Sequence, residues 1–483
     1  MLRRTKIIAT LGPATDDPAV LEALFDVGLD AVRINLSHGS HAAHEQRIRQ
    51  VREQSRKSAR PVALLMDLQG PKIRIGRFGT GAVELVEGEA FCLDMACPLT
   101  AGDASRVGLT YPELIQDVAV DDLLLLDDGR IVLQIRQIQG SEIACTVVVG
   151  GTLSDSKGIN RQGGGLSAKA LSEKDRVDIH FAAEMEADYL AVSFVREAAD
   201  VEEARRLLRE AGGGGGIVAK IERAEALECI EDIIRASDAI MVARGDLGVE
   251  IGDAELPTVQ KSLIRTAREM NTVAITATQM MESMIENSIP TRAEVFDVAN
   301  AVFDGTDAVM LSGETAMGAN PVKAVAAMDR VCREAEKHKS VRRSRHRVDA
   351  EFLRRDEAIA MAAMYAANHY LRVTAIAALT ESGSTPKSMS RISSGIPIFA
   401  MTRHRAVRRK VTLFRGVYPV NLQATSHSSQ KTNEIIIETL LQCDAVKEGD
   451  VVIITKGDTS GIEGHTNTLQ IIRVGDHLAA PPG

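Results

Sequence analysis

The sequence predicts an α/β protein built on a (β/α)8 (TIM) barrel, with a small β-barrel lid inserted in it and a three-layer α/β domain after it. Three observations carry this prediction. Eight short, branched, mostly apolar runs alternate with stretches long enough for crossover helices. The rhythm breaks once, between the third and fourth runs. A different alternation of helix and strand starts near residue 346.

The eight runs are residues 6–10 (KIIAT), 31–35 (AVRIN), 62–67 (VALLMD), 189–194 (YLAVSF), 217–222 (IVAKIE), 239–244 (AIMVAR), 273–278 (VAITAT) and 308–313 (AVMLSG). Continuous apolar runs of this length suit parallel strands buried on both faces. Ser172 followed by Asp175 reads as a capping box opening one of the crossover helices. A doubly wound open sheet satisfies the same count, because alternation alone does not prove closure.

From 71 to 169 the pattern changes to two-residue alternation with turn signals, as in 131–138 (IVLQIRQI) and 142–149 (EIACTVVV). An insertion in a βα loop sits at the edge where barrels carry their active sites, a position for a lid. The Gly-rich run 212–216 reads as a flexible link remote from chemistry. The basic stretch 342–347 (RRSRHR) reads as a solvated connector between domains rather than a nucleic-acid patch. Beyond it, a helix at 357–370 and strands at 375–379, 396–401 and 451–455 suggest the third domain. The expected division is 1–70 with 170–345 for the barrel, 71–169 for the lid and 346–483 for a regulatory domain, consistent with about three domains in 483 residues.

Composition excludes several classes. A net charge of −9 argues against a nucleic-acid partner, which needs a broad basic face. The absence of Trp and 3% aromatic content leave little for base stacking. The six cysteines (Cys92, Cys97, Cys145, Cys229, Cys332 and Cys443) form no CxxC pair and read as reduced thiols. Arg3, Arg4 and Lys6 imitate a signal peptide's charged start, but Gly12-Pro13 interrupts a short apolar stretch, and no run is long enough to span a membrane. The expected location is cytoplasmic.

The barrel strands end in polar residues that converge in space: Arg33 and Asn35, Asp67, Ser193, Lys220 and Glu222, Arg244 and Asp246, Thr278, then Glu314. Residues two apart share a face, which pairs Arg33 with Asn35 and Lys220 with Glu222. One such pair is as readily a buried ion pair as a site. Seven enriched strand ends together point to function, because burying so many charges is costly. Glu222 and Asp246 supply hard oxygen ligands for Mg²⁺, and Lys220, Arg33 and Arg74 supply positive charge for a phosphoryl group in transit. The turn at 243–246 offers backbone N–H groups for a substrate carboxylate.

These residues lie in long stretches that resemble the signatures of the pyruvate kinase family: RINLSHG (33–39), MDLQGPKIR (66–74), MVARGDLGVEI (241–251), TATQMMESM (276–284) and PTRAEVFDVANAVFDGTDAVMLSGETAMG (290–318). The resemblance covers essentially the whole chain. It implies phosphoryl transfer from phosphoenolpyruvate to ADP, through an enolate that is then protonated. It implies Lys220 at the phosphoryl group, Glu222 and Asp246 on Mg²⁺ or Mn²⁺, and Gly245, Asp246 and Thr278 at the substrate carboxylate. Arg33 is similar to a phosphate-binding arginine, and Arg74 and Lys157 to nucleotide-phosphate contacts. Asn35 and His38 border the nucleotide, with a capping role for His38 as the other reading. Thr278 is expected to organise proton delivery, and Glu314 either joins that relay or orients the region. Two rival readings, a metal-dependent pyruvate lyase and a catalytically silent homologue, lack a use for Lys157 or require a lost charge.

One stretch departs from the family's potassium-dependent pattern, a threonine-lysine pair after the strand's aspartate and a glutamate further on. Here Leu68 and Gln69 follow Asp67, and Lys72 stands where the glutamate would be. Asn35, Ser37 and Asp67 still offer oxygens to a monovalent ion, but Lys72 is expected to replace it, so that K⁺ is not required; in the plainer reading Lys72 points to solvent at the domain hinge and K⁺ binds anyway. In the third domain, 375–379 runs into TESGST and then Pro386, a strand–loop–helix junction that aims donors at an anion. Thr380, Ser382, Gly383, Ser384 and Thr385 are the expected effector residues, with the loop 456–466 closing over the ligand. The resemblance suggests a sugar phosphate, with AMP as alternative; an ordinary turn and cap is the plainer reading. It also implies a homotetramer, with Arg292 at an interface or in an intrachain salt bridge.

Overall fold

The computed structural model describes residues 2–343, 351–422, 429–457 and 464–476. Residues 344–347 of the basic stretch and 458–463 of the loop expected over the effector lie outside the described residues.

The eight apolar runs form eight parallel strands: β1 (Lys6–Thr10), β2 (Ala31–Asn35), β3 (Ala63–Asp67), β4 (Tyr189–Val192), β5 (Gly216–Ile221), β6 (Ala239–Ala243), β7 (Val273–Ala277) and β8 (Ala308–Leu311). β8 pairs with β1, so the sheet closes into a barrel and the open-sheet alternative falls. Side-chain alternation sets two cores. Ile7, Val32, Leu64, Leu190 and Ile240 face the surrounding helices, among them α1 (His41–Lys57) and α2 (Arg244–Ile251). Ile8, Leu65, Ala191, Val218 and Met241 face the barrel interior. Ser172 Oγ accepts from Asp175 N while Asp175 accepts from Ser172 N, so the expected capping box is present.

Two sheets occupy the insertion. Ala82–Leu85 pairs with Gly151–Ser154, and six strands between Ala90 and Arg161 form the larger sheet. Alternating residues such as Leu124, Ile131, Leu133, Ile135, Ile143 and Val147 build its own apolar core.

The last unit is a five-stranded sheet in the order β11 (Val417–Asn421), β10 (Ile398–Thr402), β9 (Val373–Leu379), β12 (Val451–Lys456), β13 (Thr468–Arg473). Only β13 runs antiparallel to its neighbour. Helices α3 (Ser384–Ser390) and α4 (Arg405–Lys410) follow β9 and β10. One face of this sheet packs into the same apolar cluster as the barrel interior, so the unit plugs the barrel's lower end. The glycine-rich run is partly sheet, since Gly216 opens β5. Its other residues line a cavity at the barrel foot with Ser382, Arg409 and Lys410. Among the described residues no helix is long and apolar enough to cross a membrane.

Candidate active site

Along the interior-facing rows the side chains change character at the strands' carboxyl ends. Ala31 gives way to Arg33, Leu65 to Asp67, Ala191 to Ser193, and Val218 to Lys220 and then Glu222. Period-two geometry therefore places these polar groups in one ring at the barrel's upper mouth.

Asp67 joins the two cations. Arg33 Nε donates to its Oδ2 at 2.7 Å, and Lys220 Nζ lies 3.3 Å from Oδ1. Burial alone would raise the Asp67 pKa, but Lys220 and Arg33 overcome it and hold the group below its ordinary value. Lys220 Nζ also stands 2.8 Å from Glu222 Oε1 and donates to Ser193 Oγ at 2.7 Å. Burial would lower the pKa of this ammonium, yet Asp67 and Glu222 raise it well above the ordinary lysine value. The residue is a fixed cation, not a base.

Ser193 and Phe194 come to the site through a tight crossing. A Cβ on Gly70, whose φ is +69°, would meet Ser193 Cβ and Phe194 Cδ2 at 2.8 Å. Only glycine fits where the loop after β3 crosses the end of β4. Phe194 N then donates to Glu222 Oε2 at 2.7 Å, fixing that carboxylate.

Asp246 lies in the first turn of α2, and its carboxyl is pushed up to about 6 by burial and by the neighbouring Glu222 charge. Two buried carboxylates that repel each other suit a divalent cation. Among the described residues no group of three or more metal-ligating side chains is assembled. Thr278 sits in left-handed backbone at φ +65°, with Oγ1 accepting from Gly245 N at 2.8 Å. Arg244 is turned away from the mouth: its Nη1 binds Asp297 at 2.7 and 2.6 Å. Glu314 accepts from Met281 N at 3.1 Å and Ser312 N at 2.6 Å.

A second group of cations rims the mouth. The His38 imidazole is held below its ordinary pKa by burial and by Lys72, Arg74 and Arg33. Its carbonyl accepts from His44 Nε2 at 2.8 Å, so the backbone of His38 has a structural job while its ring faces the cations. Asn35 Oδ1 accepts from Ser37 N at 3.1 Å. Arg74 Nη1 donates to Ser156 O at 2.5 Å at the root of the lid. Lys157 stands apart on the lid, paired with Asp127 at 2.7 Å. Its neighbour Asp128 acts on both Asp246 and Lys72, so the lid carries negative charge toward the mouth. Sequence reading missed Asp127 and Asp128; their signal was an Asp-Asp-Gly turn, with φ values of 50°, 57° and 83°. The expected effector residues lie at the opposite end, where Glu381 and Ser382 share a cavity with Asp188 and residues 212–215 of the barrel foot.

Comparison with known proteins matches this sequence to two family models. The model described as "Pyruvate kinase, barrel domain" matches residues 2–325, and "Pyruvate kinase, alpha/beta domain" matches 357–472. The chain belongs to the pyruvate kinase family. It is 54% identical over 476 residues to pyruvate kinase II of Salmonella typhimurium, covering 98% of this chain and 99% of that one. It is 52% identical over 476 residues to a pyruvate kinase of Buchnera aphidicola subsp. Schizaphis graminum, with the same coverage. A pyruvate kinase of Haemophilus influenzae is 51% identical over 459 residues, covering 94% and 96% of the two chains. The pyruvate kinase relatives thus extend over the barrel, the insertion and the last domain alike.

Proposed function

We propose that the upper mouth of the barrel transfers the phosphoryl group of phosphoenolpyruvate to ADP, giving pyruvate and ATP. The observation that carries the residue assignment is Lys220, a buried ammonium held by Asp67, Glu222 and Ser193 where the interior rows converge. Arg33 and Lys220 receive the phosphoryl oxygens, and their charge counts most when the group is between donor and acceptor. Gly245, Asp246 and Thr278 hold the substrate carboxylate end. Arg74, Lys157, Asn35 and His38 face the nucleotide, and lid closure carries Lys157 to it. Glu222 and Asp246 would hold Mg²⁺ or Mn²⁺, which would neutralise negative charge on the substrate oxygens. Thr278 then organises the proton that reaches the enolate carbon.

Lys72 supports independence from K⁺. Its side chain makes no ion pair among the described residues, and the charges of Arg74, Asp246, Asp128 and Lys220 act on it. The oxygens of Asp67 already face Arg33 and Lys220, and Asn35 Oδ1 is capping Ser37. An effector site for a sugar phosphate, or AMP, is assigned to Thr380, Ser382, Gly383, Ser384 and Thr385. Thr380 Oγ1 accepts from Gly383 N at 2.8 Å, and Thr385 Oγ1 lies 2.8 Å from Thr466 Oγ1, tying the loop to the chain after β12. A homotetramer fits the exposed apolar residues Ile289 (72%), Phe296 (70%) and Met317 (71%); Arg292 is exposed as well and makes no ion pair among the described residues. A cytoplasmic setting fits the free cysteines.

The test is a lactate-dehydrogenase-coupled assay with phosphoenolpyruvate, ADP and Mg²⁺. Pyruvate formed only when all three are present supports the reading; none formed defeats it.

A further inference from the structure

The insertion returns to the barrel through the strand Ile159–Arg161 and three consecutive glycines, Gly163, Gly164 and Gly165, with φ of +81°, +79° and +91°. Left-handed backbone of this kind suits glycine and leaves the chain pliable where the lid joins the body. Specific bonds hold it to the barrel. Gly163 N donates to the Glu250 carbonyl at 3.0 Å, and Gly165 N donates to the Glu225 carboxylate. Arg223 Nη1 donates to the Leu166 carbonyl at 3.1 Å. The Asn160 side chain hydrogen-bonds to the Glu250 carboxyl.

The barrel's half of these contacts comes from the two elements that present Glu222 and Asp246. Arg223 and Glu225 follow Glu222 just past β5, and Glu250 lies one turn beyond Asp246 on α2. Glu250 joins the two elements, because its Oε2 accepts from Ala224 N at 2.9 Å. The residue is 1% exposed. Burying a carboxyl is costly, and an apolar side chain would fill the same space at less cost. What the carboxyl adds is an acceptor shared between Ala224 of the barrel and Asn160 of the lid. Arg223 and Glu225 grip only the backbone of the returning chain, whereas Glu250 also grips a side chain on a lid strand.

We propose that Glu250 is a positioning residue for the lid, which by holding Asn160 sets where Lys157 stands over the barrel mouth and so tunes nucleotide affinity. The inference rests on the phosphoryl-transfer reading above. Lys157 precedes Asn160 by about 10 Å of extended chain. Gly158, between them, bridges to Arg74. The Asn160 strand pairs with Leu123–Leu126, which runs into Asp127, the partner of Lys157. A shift at Asn160 is therefore passed to both lid-side nucleotide contacts. Arg33, Lys220 and Thr278 stand on or just past barrel strands and keep their places when the lid shifts. Glu250 thus acts on ADP and leaves phosphoenolpyruvate alone.

The test is calorimetric titration of ADP with Mg²⁺, and separately of phosphoenolpyruvate with Mg²⁺, into the full chain. The variants are Glu250→Ala, Glu250→Gln, Asn160→Ala and the double alanine variant. Loss of the buried bond is expected to weaken ADP binding roughly tenfold in either single alanine variant, with phosphoenolpyruvate affinity unchanged. Asn160→Ala should add nothing to Glu250→Ala, because both remove the same bond. Glu250→Gln, whose side-chain oxygen still accepts from Ala224 N and Asn160, should bind ADP as the wild type does. Equal weakening of both ligands, or additive losses in the double variant, overturns the proposal. Wild-type ADP affinity in Asn160→Ala overturns it too, even where Glu250→Ala does not fold. The coupled assay keeps the two readings apart. A wild type that forms no pyruvate defeats phosphoryl transfer, whereas a wild type that turns over, with ADP affinity unaltered in the variants, defeats the role of Glu250 alone.

Discussion

Arg391, the residue that follows α3, places its guanidinium on Asp307 at the foot of β8, with Nη1 donating to Oδ2 at 2.8 Å and to the Thr272 carbonyl at 2.6 Å. Neither side chain meets solvent, at 0% and 1% exposure. Asp307 Oδ2 also accepts from Ala274 N at 2.9 Å, so one carboxylate joins β7, β8 and the last domain. Removing one partner leaves a buried charge unpaired. Arg391→Met is therefore expected to destabilise the chain by about 3–5 kcal/mol in urea unfolding. Asp307→Asn added to it should recover part of that loss. A cost below about 1 kcal/mol, the range of surface pairs, would contradict the buried-pair account.

Glu250, at the end of α2, is pushed up to about 7 from 4.5 by burial, and more weakly by Glu225. Arg223 and bonds from Ala224 N and Asn160 of the lid oppose the shift without cancelling it. The folded state thus binds a proton that the unfolded state releases. Its contribution is present in full below the unfolded value and is lost as pH rises from about 4.5 through about 7. Glu250→Gln, which keeps an acceptor for Ala224 N, should flatten that slope and raise stability above pH 7. The gain should be on the order of 1–3 kcal/mol. Thermal unfolding from about pH 5 to about pH 8.5 checks it, and parallel curves for the two proteins would refute it.

Lys72 carries the monovalent-cation prediction. Wild-type activity with Mg²⁺ should be complete in buffer free of K⁺, NH₄⁺ and Na⁺, because the Lys72 ammonium repels a second cation close by. Lys72→Glu should create a requirement for K⁺. Many-fold activation of the wild type by K⁺ in tetramethylammonium buffer would show that the ion binds beside the lysine.

The strands were legible because a barrel buries them on both faces, leaving unbroken apolar runs. The mouth was legible too, because the interior row turns polar at Arg33, Asp67, Ser193 and Lys220 while its lower positions stay small or apolar. What stayed hidden is the barrel's foot. Asp30, Asp188, Asp238 and Asp307 precede β2, β4, β6 and β8, and accept from Ile7, Leu64, Ile217 and Ala274 of the odd strands at 2.8–2.9 Å. Each aspartate alone looks like a turn residue; only their fourfold recurrence before alternate strands carries the signal. Partners such as Arg391, Arg409 and Lys410 are far away in sequence, and no local pattern announces them. The same holds for Lys157, whose lid partner Asp127 is visible only once the strands of the insertion are paired.

The placement of phosphoryl transfer at Lys220 is tested most directly by kcat for Lys220→Met in the coupled assay, alongside its affinity for phosphoenolpyruvate. The ammonium acts when the phosphoryl group is between donor and acceptor, so kcat should fall on the order of 10³-fold or more while substrate binding and fold are kept. Near-wild-type kcat would contradict the assignment and return Lys220, with Asp67 and Glu222, to the role of a buried structural ion cluster.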